Sequence, residues 1–185
     1  MIRATELSGR AVVDMDAAQK LGQIDKVIID PDARRIAAFR LVSGGALFST
    51  HQTHTTLPAT AVHAMGPDAI TVRHVEEPFD ASAGLDGHPS VSEVIGRKVV
   101  SRDGRLLGVI QDVLINAADG HVVGYELTDS DFKAKVGSLF VDKKRPFGPY
   151  LRADADLRAG RDLIVAPDNA ICAPADTHRT DTPAA

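Results

Sequence analysis

The chain has 185 residues, of which 44% are hydrophobic, and it carries a net charge of −4. That length can bury substantial cores, whereas the negative charge argues against a general nucleic-acid binder, which must neutralise phosphates. The single cysteine, Cys172, excludes an internal disulfide and paired-cysteine metal sites. No segment resembles a signal peptide or approaches the roughly 20 apolar residues of a membrane span, so we expect a soluble, cytoplasmic protein.

The first half of the sequence is repeated in the second half. Gly-Arg-Ala-Val-Val at residues 9–13 recurs as Gly-Arg-Lys-Val-Val at residues 96–100, an offset of 87. Six later positions recur identically at an offset of 86: Leu21, Gly22, Ile24, Val27, Ile29 and Leu41. Six more recur at an offset of 94: Leu57, Ala59, Ala61, Gly66, Asp68 and Ile70. A long-period repeat indicates one structural unit used twice.

Short β-branched segments separated by turn residues predict strands throughout both copies. The strands predicted in the first copy are Val12–Val13, Gly22–Asp30, Ile36–Val42 and Ala69–His74. Their counterparts in the second copy are Val99–Val100, Gly108–Asn116, Val122–Thr128 and Leu163–Ala166. Helical periodicity is weak apart from a turn at Ala59–Ala64, so we predict an all-β fold with about five or six strands per copy.

The second strand of each copy breaks strict alternation, because Ile24 falls on the opposite face from Val27 and Ile29. The same mismatch separates Ile110 from its later neighbours in the second copy. A β-bulge near Asp25-Lys26, and another near Gln111-Asp112, would turn all these side chains inward and bend the strand towards barrel closure.

Composition divides the chain into four parts. We predict a first barrel at residues 1–74, a linker rich in Pro, Gly, Ser and acids at 75–92, and a second barrel at 93–166. The remaining residues, 167–185, are rich in Ala, Asp, Thr and Pro and are expected to form a disordered tail.

The repeated pattern resembles the PRC-barrel domain. It consists of Gly-Arg-x-Val-Val, a turn, Leu-Gly-x-Ile, a polar pair, Val-x-Ile-Asp/Asn and an apolar return strand, and it closes with residues 57–62 and 66–70. This family includes the cytoplasmic part of the photosynthetic reaction-centre H subunit and the C-terminal domain of a ribosome-maturation factor. The resemblance implies two tandem small β-barrels from an internal duplication, which dock onto partners and carry no family-wide catalytic residue.

The best functional candidate is an insertion of eight residues in the second copy, where the offset rises from 86 to 94. A loop longer than its internal counterpart meets no visible need of the fold. We call residues 132–147 the basic loop, because five cations there oppose only Asp142 and leave a charge of +4. The predicted partner-binding residues are Phe132, Lys133, Lys135, Lys143, Lys144, Arg145 and Phe147. The alternative is a solvated loop whose two phenylalanines fold onto the barrel.

Other chemistries find little support in the sequence. His51, His54, His63 and His74 lack metal-site spacing and are best explained as surface residues. No serine lies in a Gly-x-Ser-x-Gly elbow, and Cys172 has no base placed beside it. We therefore expect no catalytic residue, no metal and no cofactor.

The sequence thus favours a non-enzymatic adaptor or assembly module that binds a protein partner through its tandem barrels. One alternative is a factor in RNA metabolism or ribosome maturation, in which the basic loop meets RNA or a ribosomal protein. Others are an accessory protein of a photosynthetic or electron-transport complex and a small-ligand or metal-binding barrel. Homo-oligomerisation is left open.

Overall fold

The computed structural model describes residues 1–43, 53–73, 85–128, 147–160 and 162–172. A short N-terminal strand, β1 (Ile2–Arg3), precedes the first sheet. The strands of the first copy are β2 (Ala11–Asp14), β3 (Gln19–Asp30), β4 (Arg35–Ser43), β5 (Thr53–Pro58), β6 (Val62–Met65) and β7 (Ala69–Val72). Those of the second are β8 (Lys98–Ser101), β9 (Leu106–Ile115), β10 (Val122–Thr128), β11 (Tyr150–Arg152), β12 (Arg158–Ala159), β13 (Leu163–Ala166) and β14 (Ile171–Cys172). Helical structure in these ranges comprises 3-10 turns at Ala4–Leu7, Ala59–Ala61 and Asp168–Ala170 and the single-turn helix α1 (Val91–Val94).

Each copy forms one sheet, and six strands of each sheet follow the same order, which confirms the all-β duplication. The first sheet has the order β5-β4-β3-β2-β7-β6, and the second has the order β12-β13-β8-β9-β10-β11-β14. Both contain one parallel pair, β2 with β7 and β8 with β13, among otherwise antiparallel neighbours. Within the described ranges the two end strands of each sheet are not hydrogen-bonded to each other, so neither sheet forms a closed ring.

The predicted bulges are confirmed in both copies. In the first, the pairing of β3 with β4 shifts between Ile24 and Lys26, so Asp25 is the extra residue. In the second, Glu126 pairs with Asp112 and Leu127 with Ile110, which leaves Gln111 without a Cα partner on β10. The extra residue restores inward packing, since Ile24, Val27 and Ile29 are all buried.

The repeated Gly-Arg pair fixes the start of each copy. Gly9 and Gly96 adopt φ of +79° and +91°, a region that glycine enters without steric cost. Their N–H groups donate to the carbonyls of Ile24 and Ile110, each at 2.8 Å. The arginine that follows, Arg10 in the first copy, donates to the backbone carbonyl of the turn before the last strand of its own sheet. The motif therefore holds the first strand, the bulged strand and the final hairpin together.

The two copies exchange their N-terminal segments. Strand β1 at the start of the first copy pairs with β9 of the second, with Ile2 opposite Ile115 and Arg3 opposite Leu114. Ser90, the residue of the second copy that aligns with Arg3, forms an antiparallel β-bridge with Ile28 on β3 of the first. The amide of the next residue, Ile29, donates to the carbonyl of Pro89 at 3.0 Å. Each sheet is thus completed by a segment that leads into the other.

Two of the predicted part boundaries require correction. Residues 90–92, assigned to the linker, begin α1. They form a capping box in which the side chains of Ser90 and Glu93 each bond to the backbone N–H of the other residue. Residues 168–172, assigned to the tail, form a 3-10 turn and β14, and β14 pairs with β11. This segment is ordered because Ala170 is buried and Ile171 packs against the core. The other boundaries stay predictions, since residues 74–84 and 173–185 lie outside the described ranges.

The hydrophobic core is continuous across the two copies. It includes Phe39 and Ile70 of the first copy together with Ile110 and Leu151 of the second. Leu7, at the end of the first exchanged segment, is fully buried in the same cluster. No helix among the described residues is long and apolar enough to cross a membrane.

Candidate functional site

A buried ion pair lies at the base of the basic loop. Arg3 on β1 donates to Glu126 on β10 through Nε at 2.8 Å and through Nη2 at 3.0 Å. Both side chains are buried, with 2% and 0% of their surface exposed. Glu6 adds a second carboxylate 3.6 Å from Arg3, and the carboxylates raise the pKa of the arginine. The exchanged segment therefore carries its charge into the interior of the second copy.

The C-terminal end of the basic loop is attached to this pair. The Phe147 ring lies under the guanidinium of Arg3, with its centroid 4.7 Å from Cζ, a cation–π distance. The next amide, that of Gly148, donates to Glu126 Oε1 at 2.7 Å. Leu127 N–H donates to the Pro149 carbonyl at 2.8 Å. The N-terminus of the chain thus fixes the point at which the loop returns to the sheet.

A second buried carboxylate, Asp112 in the β9 bulge, accepts hydrogen bonds from the 3-10 turn at Ala4–Leu7, which follows β1 in the exchanged segment. Its Oδ1 accepts hydrogen bonds from the backbone N–H groups of Thr5, at 3.2 Å, and Val113, at 2.8 Å. Its Oδ2 contacts the Thr5 hydroxyl. Burial raises the pKa of Asp112, because it outweighs the lowering effect of these hydrogen bonds.

Six of the seven residues predicted for partner binding lie outside the described residues: Phe132, Lys133, Lys135, Lys143, Lys144 and Arg145. The seventh, Phe147, is half-buried on Arg3. Its position is that expected of a phenylalanine folded onto the barrel, whereas partner binding by the seven residues stays a prediction.

Sequence reasoning missed Arg3, Asp112 and Glu126. The duplication contained a signal for them, because the residues aligned with Asp112 and Glu126 in the first copy are Lys26 and Arg40. Both of those are exposed on the surface. Two neighbouring strand positions therefore invert their charge between the copies, a change that a copy-by-copy comparison detects.

The histidines considered for a metal site do not gather in the described part of the chain. His54 and His63 are exposed on β5 and β6, and His63 lies 3.4 Å from a guanidinium nitrogen of Arg73. His51 and His74 lie outside the described residues. Among those described, no three histidine, cysteine or carboxylate side chains are grouped as metal ligands would be.

Two clefts are related by the duplication, each formed by the sheet of one copy and, from the other copy, the turn that follows the bulged strand (β3–β4 or β9–β10). The first, of about 190 Å³, is lined by Phe39, Met65 and the turn at Asp119-Gly120. The second, of about 440 Å³, is lined by Tyr125, the residue aligned with Phe39, and by the turn that contains Asp32 and Arg34. Burial raises the pKa of Tyr125.

Two bulged sheets, joined by exchanged segments and bearing a basic loop, define an internally duplicated all-β module. A protein-family model for the PRC-barrel domain matches residues 1–77 and, a second time, residues 88–165. The chain belongs to the PRC-barrel domain family, with two copies of the domain in tandem. A search of the curated proteins found no match.

Proposed function

We propose that the chain is a non-enzymatic adaptor that binds a protein partner through the basic loop. The observation that carries this proposal is the anchoring of the loop's C-terminal end, where Phe147 and Gly148 contact the buried pair Arg3 and Glu126. A binding segment that is held at its base loses less conformational entropy on association. The membership in a family of small β-sheet modules is compatible with this role.

The charge of the basic loop defines the chemistry of the partner. Five cations oppose one carboxylate between residues 132 and 147, although the whole chain has a net charge of −4. Such a local excess attracts an acidic protein surface and accelerates association with it. The partner is therefore a protein that presents carboxylates, and Phe132 supplies an apolar contact beside the cations.

The test is copurification from the native host with a tagged full-length chain. In the variant Lys143→Glu, Lys144→Glu and Arg145→Glu, we expect the loss of a stoichiometric protein partner that survives nuclease treatment. The matched control reverses three exposed cations of the first copy, Lys20, Arg40 and Arg73, with the same change in net charge. A set of partners left unchanged by the loop variant would defeat the proposal.

The second candidate is a role in RNA metabolism or ribosome maturation, which the same five cations favour. Contacts between cations and phosphates make binding strongly dependent on salt. Loss of every partner after nuclease treatment, together with a steep salt dependence, would replace the adaptor by this function. An accessory role in a photosynthetic or electron-transport complex has the family resemblance as its support, and recovery of such a complex would establish it.

A further inference from the structure

The outward face of β13, β8 and β9 carries a row of apolar side chains in the second copy. The strand registers place Val165 opposite Val100 and Val100 opposite Leu106, so the three side chains form a row across the sheet. Leu163 lies on the same face, one pleat along β13 from Val165. We call these four residues the apolar face. Leu106 and Leu163 are 43% and 40% exposed, so the face is open to solvent.

The first copy provides an internal control for this face. Thr71, Val13 and Lys20 are the aligned residues, and they form the same row in the same register. The residue aligned with Leu163 is Ala69. Three of the four positions are therefore smaller or more polar in a sheet of identical topology. The fold does not require the apolar side chains, and an exposed apolar surface without a folding role indicates a contact surface.

The charges that surround the apolar face are balanced. Arg102 pairs with Asp156, and Arg105 contacts Asp168 at 3.1 Å, both at exposed positions. Two further exposed cations are Lys98, opposite Leu163, and Arg158, opposite Val165. Two further exposed carboxylates are Asp103, in the turn between β8 and β9, and Asp162, next to Leu163. A partner of a single charge gains little from such a rim. A second copy related by a twofold axis presents the same balanced set, so its cations can meet carboxylates although each chain has a net charge of −4.

We propose that the apolar face is an isologous interface that binds the same face of a second copy of this chain. Burial of Leu106 and Leu163 against their symmetry mates drives the association, and the mixed charges of the rim fix its register. The interface uses no residue of the basic loop, so this inference is independent of the proposed adaptor function.

The test uses sedimentation equilibrium of the full chain over a wide range of concentrations. We expect a reversible dimer for the wild type. The variant L106K/L163A/V165T installs the residues of the first copy at the aligned positions, so the fold should tolerate it. Its dimer should dissociate at a concentration at least about tenfold higher. A wild type that stays monomeric at every concentration, or a dimer that the variant leaves unchanged, would overturn the proposal.

The converse variant provides the matched control. K20L/A69L/T71V builds the same apolar row on the first copy, and it should add a second association step that produces species larger than the dimer. Circular dichroism and thermal unfolding verify that both variants are folded. Oxidative footprinting of the side chains distinguishes another occupant: Leu106 and Leu163 protected from labelling in a strictly monomeric wild type would show that the chain covers its own face, which refutes the proposal.

Discussion

Arg35 and His121 occupy equivalent positions in the two copies and pair with each other in an isolated antiparallel bridge. The flanking hydrogen bonds are reciprocal, since Ile36 N–H donates to the Gly120 carbonyl at 2.9 Å and Val122 N–H donates to the Arg34 carbonyl at 2.8 Å. A local twofold axis therefore passes between the two sheets. The same axis relates the exchanged segments. We call the resulting unit, in which the N-terminal segment of each copy pairs with the sheet of the other, the interlocked platform.

The interlocked platform predicts that damage to one exchanged segment weakens both copies. Leu7 is fully buried in the shared core, and Leu7→Ala should lower the free energy of unfolding by about 2–5 kcal/mol. Native-state hydrogen exchange measures the effect separately on β3 and on β9. Equal losses of protection in the two strands are expected, whereas a loss confined to one of them would show that the copies unfold independently.

The Arg3–Glu126 pair predicts a large effect from a single substitution and a partial rescue by a second. Arg3→Met removes the guanidinium that pairs with the buried Glu126 carboxylate and should cost about 3–5 kcal/mol in urea unfolding. R3M/E126Q removes that charge and keeps an acceptor for Gly148 N–H, so it should recover most of the loss. Arg152→Met disrupts an exposed pair with Asp154 and should leave stability unchanged. A double variant no more stable than R3M would refute the electrostatic explanation.

Asp112 predicts a specific dependence of stability on pH. Its pKa is raised in the native state above the ordinary value of 3.8, so the native state binds its proton more tightly than the unfolded chain does. Stability contributed by this group therefore falls as the pH rises from 3.8 through the native pKa, and it is constant above that point.

Asp112→Asn should remove this dependence. The asparagine Oδ1 can accept both backbone hydrogen bonds, and its amide can donate to the Thr5 hydroxyl. The stability of the variant relative to wild type should rise over the same pH interval. Asp154→Asn is the control of opposite sign, because Arg152 lowers the pKa of Asp154. A flat difference between D112N and wild type from pH 3 to pH 7 would contradict the assignment.

Gly124 on β10 is predicted to tolerate no side chain. A Cβ there would lie 2.7 Å from Cδ2 of Tyr150 and closer still to the backbone of Leu151. Gly124→Ala should therefore destabilise the protein by about 1–3 kcal/mol, measured by urea unfolding. Gly148→Ala is the control, since its Cβ would meet its nearest atom at 3.5 Å. Equal stabilities of the two variants would refute the close approach of β11.

Local sequence patterns predicted four strands in each copy, the hairpin of the second and third of them, and both bulges, because these features depend on residues that are neighbours in the chain. Ile24, Val27 and Ile29 contained the bulge signal in their spacing alone. The helix α1 also had a local signal, the Ser90-x-x-Glu93 capping box, which the prediction overlooked.

The exchange of segments could not be predicted in this way. Ile2 pairs with a strand more than a hundred residues away, and nothing in its own sequence distinguishes β9 from the equivalent β3. The site residue Glu126 was hidden for a related reason, since a glutamate in a strand is ordinarily on the surface and only tertiary contact with Arg3 explains its burial. Comparison of the two copies position by position is the signal that identifies such residues.

The exchange of the N-terminal segments is tested most directly by disulfide trapping in a Cys172→Ser background. Ile2 and Ile115 are antiparallel Cα partners, about 4.5–5.5 Å apart and within the range of a disulfide. I2C/I115C should therefore form an intramolecular disulfide under mild oxidation. I2C/I29C, which pairs Ile2 with the aligned strand of its own copy, should stay reduced. A disulfide in I2C/I29C and none in I2C/I115C would contradict the interlocked platform.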